Sequence, residues 1–167
     1  MKIINEIKKI LRKKTCIVGI GNTMRRDDGI GCYIIEELKK NAANGKHIFF
    51  NAEDVPENYV FRLAGLDCAN ILIIDAVHSR EFPGSVLFGR IEDFYDMFDE
   101  CSTHKLPLSM TAEILRRSGK SVFMLGVPVR NIDYGEGLTG NVRTKADMLL
   151  DMMIHATESC KEPAYEL

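Results

Sequence analysis

At 167 residues and 46% hydrophobic content, the chain has the length and apolar surface of one compact domain with a single sizeable core. Its 22 basic and 24 acidic residues leave a formal charge of -2 and are mixed along the sequence. No basic stripe is available to neutralise a phosphate backbone, so nucleic acid is not expected as a partner.

The opening MKIINEIKKILRKK spaces Ile3, Ile4, Ile7, Ile10 and Leu11 along one helical face, with lysines between them. This is not a continuous secretory core, and no small-residue cleavage site follows it. Residues 1–14 are expected to form a helix packed on the core rather than one lying on a membrane surface. No run is long enough to span a bilayer.

Five short apolar runs read as strands: TCIVGI (Thr15 to Ile20), HIFFNA (His47 to Ala52), NILIID (Asn70 to Asp75), SVLFGR (Ser85 to Arg90) and SVFMLGV (Ser121 to Val127). Between them lie helical stretches. Ile30 to Lys40 carries Ile30, Ile34 and Leu38 on one face, and Pro56 to Leu66 opens with a proline suited to a first turn. Leu108 to Arg117 follows, then Asn141 to Thr157 with a stripe of Val142, Ala146, Leu149, Leu150, Met153 and Ile154. The alternation predicts an α/β fold.

Only the nine residues AVHSREFPG separate the third and fourth strands, whereas a parallel crossover needs about a dozen or more. The fourth strand should therefore run antiparallel to the third. A mixed five-stranded sheet with helices on both faces is expected, as one domain over residues 1–167, with a polar tail at 159–167 that frays.

The segment GIGNTMRRDDGIG, Gly19 to Gly31, leaves a buried strand and enters a helix. Its first two glycines open like a dinucleotide fingerprint, but Met24 occupies the place of the third. Asp27 and Asp28 stand where a pyrophosphate would need backbone amides and no added negative charge. A nucleotide or small-ligand module using this turn is the alternative reading. As plain structural residues, the two aspartates would cap the following helix and favour its positive end.

Asp75 closes the apolar run ILII and so falls at the carboxyl edge of a central strand. If the first and third strands are parallel, Asp28 and Asp75 emerge on the same edge, where ligands bind in open α/β sheets. Two converging carboxylates repel each other unless a proton or cation lies between them, and a metal resolves this. His104, in CSTHKLPLS, would complete a three-ligand set suited to nickel, zinc or another borderline divalent ion. His78 competes for that role, being three residues past Asp75; His47 and His155 read as structural or surface residues.

Cys16, Cys32, Cys68, Cys101 and Cys160 are odd in number and scattered, with no C-x-x-C pair. They suit a reducing cytosol and read mainly as small buried hydrophobes. Cys101 lies three residues before His104, but nucleophile–base pairing needs a geometry that spacing does not establish. Neither a G-x-S-x-G elbow nor an H-E-x-x-H helix occurs.

Taken together, GIGNTMRRDDGIG, ILIIDAVHSREFPGSV with Asp75, Pro83 and Gly84, and STHKLPLS with His104 resemble the [NiFe]-hydrogenase maturation proteases over nearly the whole chain. VPEN (Val55 to Asn58) and H-x-x-P-L resemble the branch serving formate-hydrogenlyase-type hydrogenases. His78 and the N-terminal helix depart from the family pattern.

The resemblance implies a three-layer α/β/α sandwich with a mostly parallel five-stranded sheet. It also implies a cytoplasmic, monomeric endopeptidase that trims the C-terminal extension of a [NiFe]-hydrogenase large-subunit precursor after nickel insertion. Asp28, Asp75 and His104 are then the metal-engaging and catalytic residues. The enzyme carries no cofactor of its own, because the nickel arrives with the substrate.

Overall fold

The computed structural model describes residues 2–42, 45–78, 85–95 and 105–158. It begins with helix α1 (Lys2–Leu11), strand β1 (Thr15–Ile20), a 3-10 turn at Arg26–Gly29 and helix α2 (Ile30–Asn41). Strand β2 (Ile48–Glu53), a second 3-10 turn (Pro56–Tyr59), helix α3 (Val60–Ala64) and strand β3 (Asn70–His78) follow. Strand β4 (Leu87–Arg90) leads to a third 3-10 turn (Ile91–Phe94), and helix α4 (Lys105–Arg117), strand β5 (Ser121–Val129) and helix α5 (Gly140–Glu158) complete the described chain. The tail at 159–167 lies outside the described residues.

The sheet runs β2-β1-β3-β5-β4. All neighbours are parallel except β4, which pairs antiparallel with β5. β4 thus runs against β3, as the short connection requires, but β5 lies between them. A connection too short for a crossover helix constrains a strand's direction, not its neighbour. β1 is buried at all six positions, which is why its sequence reads as an unbroken apolar run: a parallel strand here has a helical layer on each face.

One layer holds α1, α2 and α5, whose Ile7, Leu11, Ile34, Leu38 and Met153 pack with Ile17, Leu72 and Leu125 of the sheet. The other holds α3 and α4, whose Val60, Leu63, Leu108 and Leu115 pack with Val18, Ile71, Ile73 and Val122. α1 belongs to the core, and its C-terminal end is fastened there: Thr15 Oγ1 and Asn70 Nδ2 both donate to the Ile10 carbonyl, at 3.1 and 2.7 Å. Those bonds add to the Lys13 N–H, 3.3 Å from the same carbonyl, at a helix end whose last acceptors have no partner within the helix.

Two elements differ from the periodicity. The helix expected over Pro56 to Leu66 divides into the 3-10 turn and the five-residue α3. Pro56 opens a tight turn in which Asn58 N–H donates to Val55 O at 3.0 Å, and the chain leaves α3 through Gly65. β3 also runs three residues beyond Asp75, to His78, because β5 continues beside it as far as Val129.

The position of α2 rests on a backbone contact. A Cβ on Gly31 would lie 2.2 Å from Ile20 O and 2.3 Å from Ile74 O, and one on Gly19 would lie 2.3 Å from Gly31 O. The first turn of α2 is therefore pressed onto β1 and β3 with no room for a methyl group. Gly31→Ala should destabilise the protein by about 3 kcal/mol or more, since backbone cannot yield as a flexible side chain does. Gly140→Ala, whose Cβ meets nothing within 4 Å, should stay within about 0.5 kcal/mol of the parent. Urea unfolding of both variants checks this contrast; equal stabilities would contradict the packing.

Candidate functional site

The loop leaving β1 folds back on itself at Gly21. Its φ is +143°, and a Cβ there would lie 1.9 Å from Asp28 O, so a glycine is required on both counts. The segment after β5 then straps the loop down. Arg26 N–H donates to Gly135 O at 2.9 Å, Gly135 N–H to Met24 O at 2.8 Å, and Asp27 N–H to Asn131 O at 3.1 Å. Arg25 Nε adds a bond to Ile132 O at 3.2 Å. Arg26 is held at φ +47° within this strap, a left-handed conformation that a non-glycine residue adopts only when its surroundings enforce it.

The adjacent aspartates are both buried, at 1% and 3% exposure, yet they face different partners. Asp27 accepts Thr139 N–H at 2.7 Å and Thr139 Oγ1–H at 2.9 Å. It ties the glycine loop to the residue before α5. Asp28 Oδ2 accepts the backbone N–H of Asn22 at 3.0 Å. Neither is the N-cap residue of its own turn or of α2, positions held by Arg25 and Gly29.

Asp75 is fully buried and lies within β3 rather than at its end. The register pairs Ile74 with Gly19, which sets Asp75 level with Ile20, where β1 stops and the Asp28 loop departs. Asp75 Oδ1 accepts the Ala76 N–H at 2.8 Å. Side-chain alternation places Asp75 with Ile71, Ile73 and Val77 on the α3/α4 face. The turn that carries Asp28 packs directly against β3. Both acids therefore belong to the sheet edge where the strand order reverses, with β2 on one side of β1 and β3 on the other, which is where ligands bind in open α/β sheets.

Cys32, in the first turn of α2, registers the field of this crevice. Its thiol donates to Gly21 O at 3.1 Å. Burial pushes its pKa up to about 12, helped by the negative charges of Asp75, Glu53, Asp28 and Asp54. Asp28 and Asp75 thus act on one buried thiol, in keeping with their expected emergence on one sheet edge. Glu53 and Asp54, at the tip of β2, do not stand out in the sequence. The available signal is their place at the end of a strand parallel to β1.

His104 and Cys101, like Pro83 and Gly84, lie outside the described residues. α4, which begins at Lys105, packs on the same sheet face as Asp75. His78 is exposed at the end of β3, and alternation turns it to the opposite face from Asp75, against a shared ligand role. His155 is exposed on α5, and half-buried His47 precedes β2 with its pKa lowered first by burial and then by Lys46. Cys16, Cys32 and Cys68 are buried free thiols, in keeping with a packing role.

A buried acidic crevice at a sheet switch point repels phosphates and attracts cations or the polarised groups attached to them. The nucleotide alternative has no such favourable term. Fold and site define an α/β/α protein with buried carboxylates at the carboxyl edge of its sheet.

Comparison with known proteins places it among the proteases. Residues 32–156 match the family described as HycI: hydrogenase maturation protease, and the chain belongs to that family of peptidases. It is 29% identical over 108 residues to the hydrogenase 3 maturation protease of Escherichia coli, covering 65% of this chain and 68% of that protein. The Methanocaldococcus jannaschii protein MJ0631 is 29% identical over 157 residues, 89% of this chain and 91% of its own length. The crystal structure of the [NiFe] hydrogenase maturation protease HycI from Thermococcus kodakarensis superposes with a TM-score of 0.79 at 24% identity, over 92% of this chain and 99% of that one. The three-layer architecture is shared.

With its pKa near 12, Cys32 should resist iodoacetamide in the native protein at mildly alkaline pH and react fully once the chain is unfolded. Peptide mass spectrometry reads the difference. Rapid native labelling of Cys32 would contradict the buried, acid-surrounded site.

Proposed function

We propose that this protein removes the C-terminal extension of a [NiFe]-hydrogenase large-subunit precursor, and does so only after nickel has been inserted. Family membership supports the peptidase activity and its place in hydrogenase maturation. The observation that carries the rest is the pair of buried carboxylates, Asp28 and Asp75, flanking the sheet's switch point.

Carboxylates gathered at one sheet edge favour a cation that they can share. A nickel ion already held by the substrate supplies that charge, and carboxylate with imidazole is a donor set it accepts. In this reading Asp28 and Asp75 engage the substrate's nickel together with His104, whose role follows from the motif resemblance. The enzyme needs no metal of its own. Docking the nickel holds the neighbouring peptide bond in the crevice, where a water attacks the carbonyl. An acid of the site takes the water's proton or the ion polarises the carbonyl; either route uses these groups.

Nickel dependence makes cleavage a checkpoint. An empty precursor leaves the carboxylates repelling each other and offers no anchor, so its tail is retained. A monomer acting in the cytoplasm suits this role, and five scattered cysteines suit that reducing compartment.

Purified protein mixed with nickel-loaded and nickel-free precursor should shorten only the loaded form, read as loss of the tail by mass spectrometry. Asp28→Asn, Asp75→Asn and His104→Ala should each slow processing by about 100-fold or more. Processing of nickel-free precursor at the same rate would overturn the proposal, as would full activity of the three variants.

A further inference from the structure

We infer that Asp54 and Asn22 form a positioning relay that fixes the direction of the Asp28 carboxylate; this rests on the role given to Asp28 above. Three hydrogen bonds carry it. Asn22 Nδ2 donates to Asp54 Oδ2 at 2.9 Å. Asn22 Oδ1 accepts the Met24 N–H at 2.9 Å. The backbone N–H of Asn22 donates to Asp28 Oδ2 at 3.0 Å.

Both ends of the Asn22 amide are thus engaged, and their assignment is unambiguous. A carboxylate only accepts and a peptide N–H only donates, so Nδ2 must face Asp54 and Oδ1 must face Met24. With its side chain pinned at two points, residue 22 has little freedom to turn, and its N–H stays aimed at Asp28. Asn22 supplies the last link and Asp54 holds Asn22.

The backbone at the tip of β2 is shaped to deliver Asp54. Gly19 pairs with Asn51 but Ile20 pairs with Glu53, so Ala52 is an extra residue in the ladder, a bulge that re-aims the residues beyond it. Glu53 sits at φ +53°, a conformation strained for a glutamate. Two bonds hold it there: its N–H donates to Asn51 Oδ1 at 3.0 Å, and its carbonyl accepts the Gly21 N–H at 2.9 Å. Bulge and left-handed residue together turn the chain so that the next side chain meets the glycine loop. A strained exposed residue immediately before a side chain that reaches the site loop is the pattern left where backbone strain serves a site.

Neither Asp54 nor Asn22 needs to touch substrate in this scheme; both act through Asp28. The test compares Asp54→Ala, Asp54→Asn, Asn22→Ala and the double variant Asn22→Ala/Asp54→Ala with the parent, on nickel-loaded precursor. Asp28→Asn runs beside them. Asp54→Ala and Asn22→Ala should each slow tail removal about tenfold, the factor for losing one directing hydrogen bond. Asp54→Asn keeps an acceptor for Nδ2 and should recover to within about threefold of the parent. The double variant should be no slower than Asn22→Ala alone, as expected of residues acting in one chain.

Recovery by asparagine together with non-additivity supports the relay, because a general loss of folding produces neither. Parental rates for Asp54→Ala and Asn22→Ala beside an inactive Asp28→Asn would overturn the relay and leave the site assignment standing. Parental activity of Asp28→Asn would remove the assignment itself, and the relay with it. An Asp54→Asn variant as slow as Asp54→Ala at equal melting temperature would likewise overturn the relay.

Discussion

The site depends on one close contact of main chain with main chain: the first turn of α2 against the ends of β1 and β3. Gly31 lies so near the Ile20 and Ile74 carbonyls, and Gly19 so near Gly31, that helix and sheet meet without intervening side chains. That contact sets the height of α2 above the sheet, and so where the chain between β1 and α2 must fit. A connection forced to close over so short a gap turns on a glycine at Gly21 and buries the aspartates beyond it. Removing the contact would leave the same residues in the sequence but without a common crevice.

Much of the architecture was readable because the central strands are mostly apolar and the helices carry a clear stripe. β1 was bounded correctly by its composition alone, since burial on both faces leaves Thr15, at its first position, as its one polar side chain. Other features depend on partners distant in sequence. β3 outruns its apolar signal because β5 accompanies it, and the short α3 is limited by proline and glycine where periodicity suggested a longer helix. That the chain leaves β1 toward Asp28 at the sheet edge where Asp75 lies followed from the parallel pairing of β1 and β3. Glu53 and Asp54 did not stand out, because a bulge and a positive φ at the tip of β2 decide where they point, and nothing in a residue pattern announces either.

Electrostatically, this sheet edge gathers like charge, with Asp28 and Asp75 buried and Glu53 and Asp54 nearer to solvent. The thiol of Cys32 feels four carboxylates, and a fold selected for stability alone would not gather them. Strain accompanies the charge: Arg26 and Glu53, both with positive φ, flank the region from two different loops. Each is secured by backbone hydrogen bonds to a neighbouring segment, so the surrounding structure enforces what the residues themselves disfavour. Such a region is organised in advance, which limits the rearrangement needed when a substrate enters.

The consecutive aspartates illustrate why an acidic pair is a poor unit of interpretation. Successive residues of a tight turn point in different directions, so Asp27 and Asp28 cannot serve the same neighbour. Asp27 commits both carboxylate oxygens to Thr139, joining the first loop to the last helix and so locking the strap that runs between them. That bond stabilises the loop from outside the crevice, while Asp28 faces Asn22 on the other side. Two separate anchors thus lie one peptide unit apart: one acid ties the loop to the segment before α5, and the other ties it back to its own beginning at Asn22.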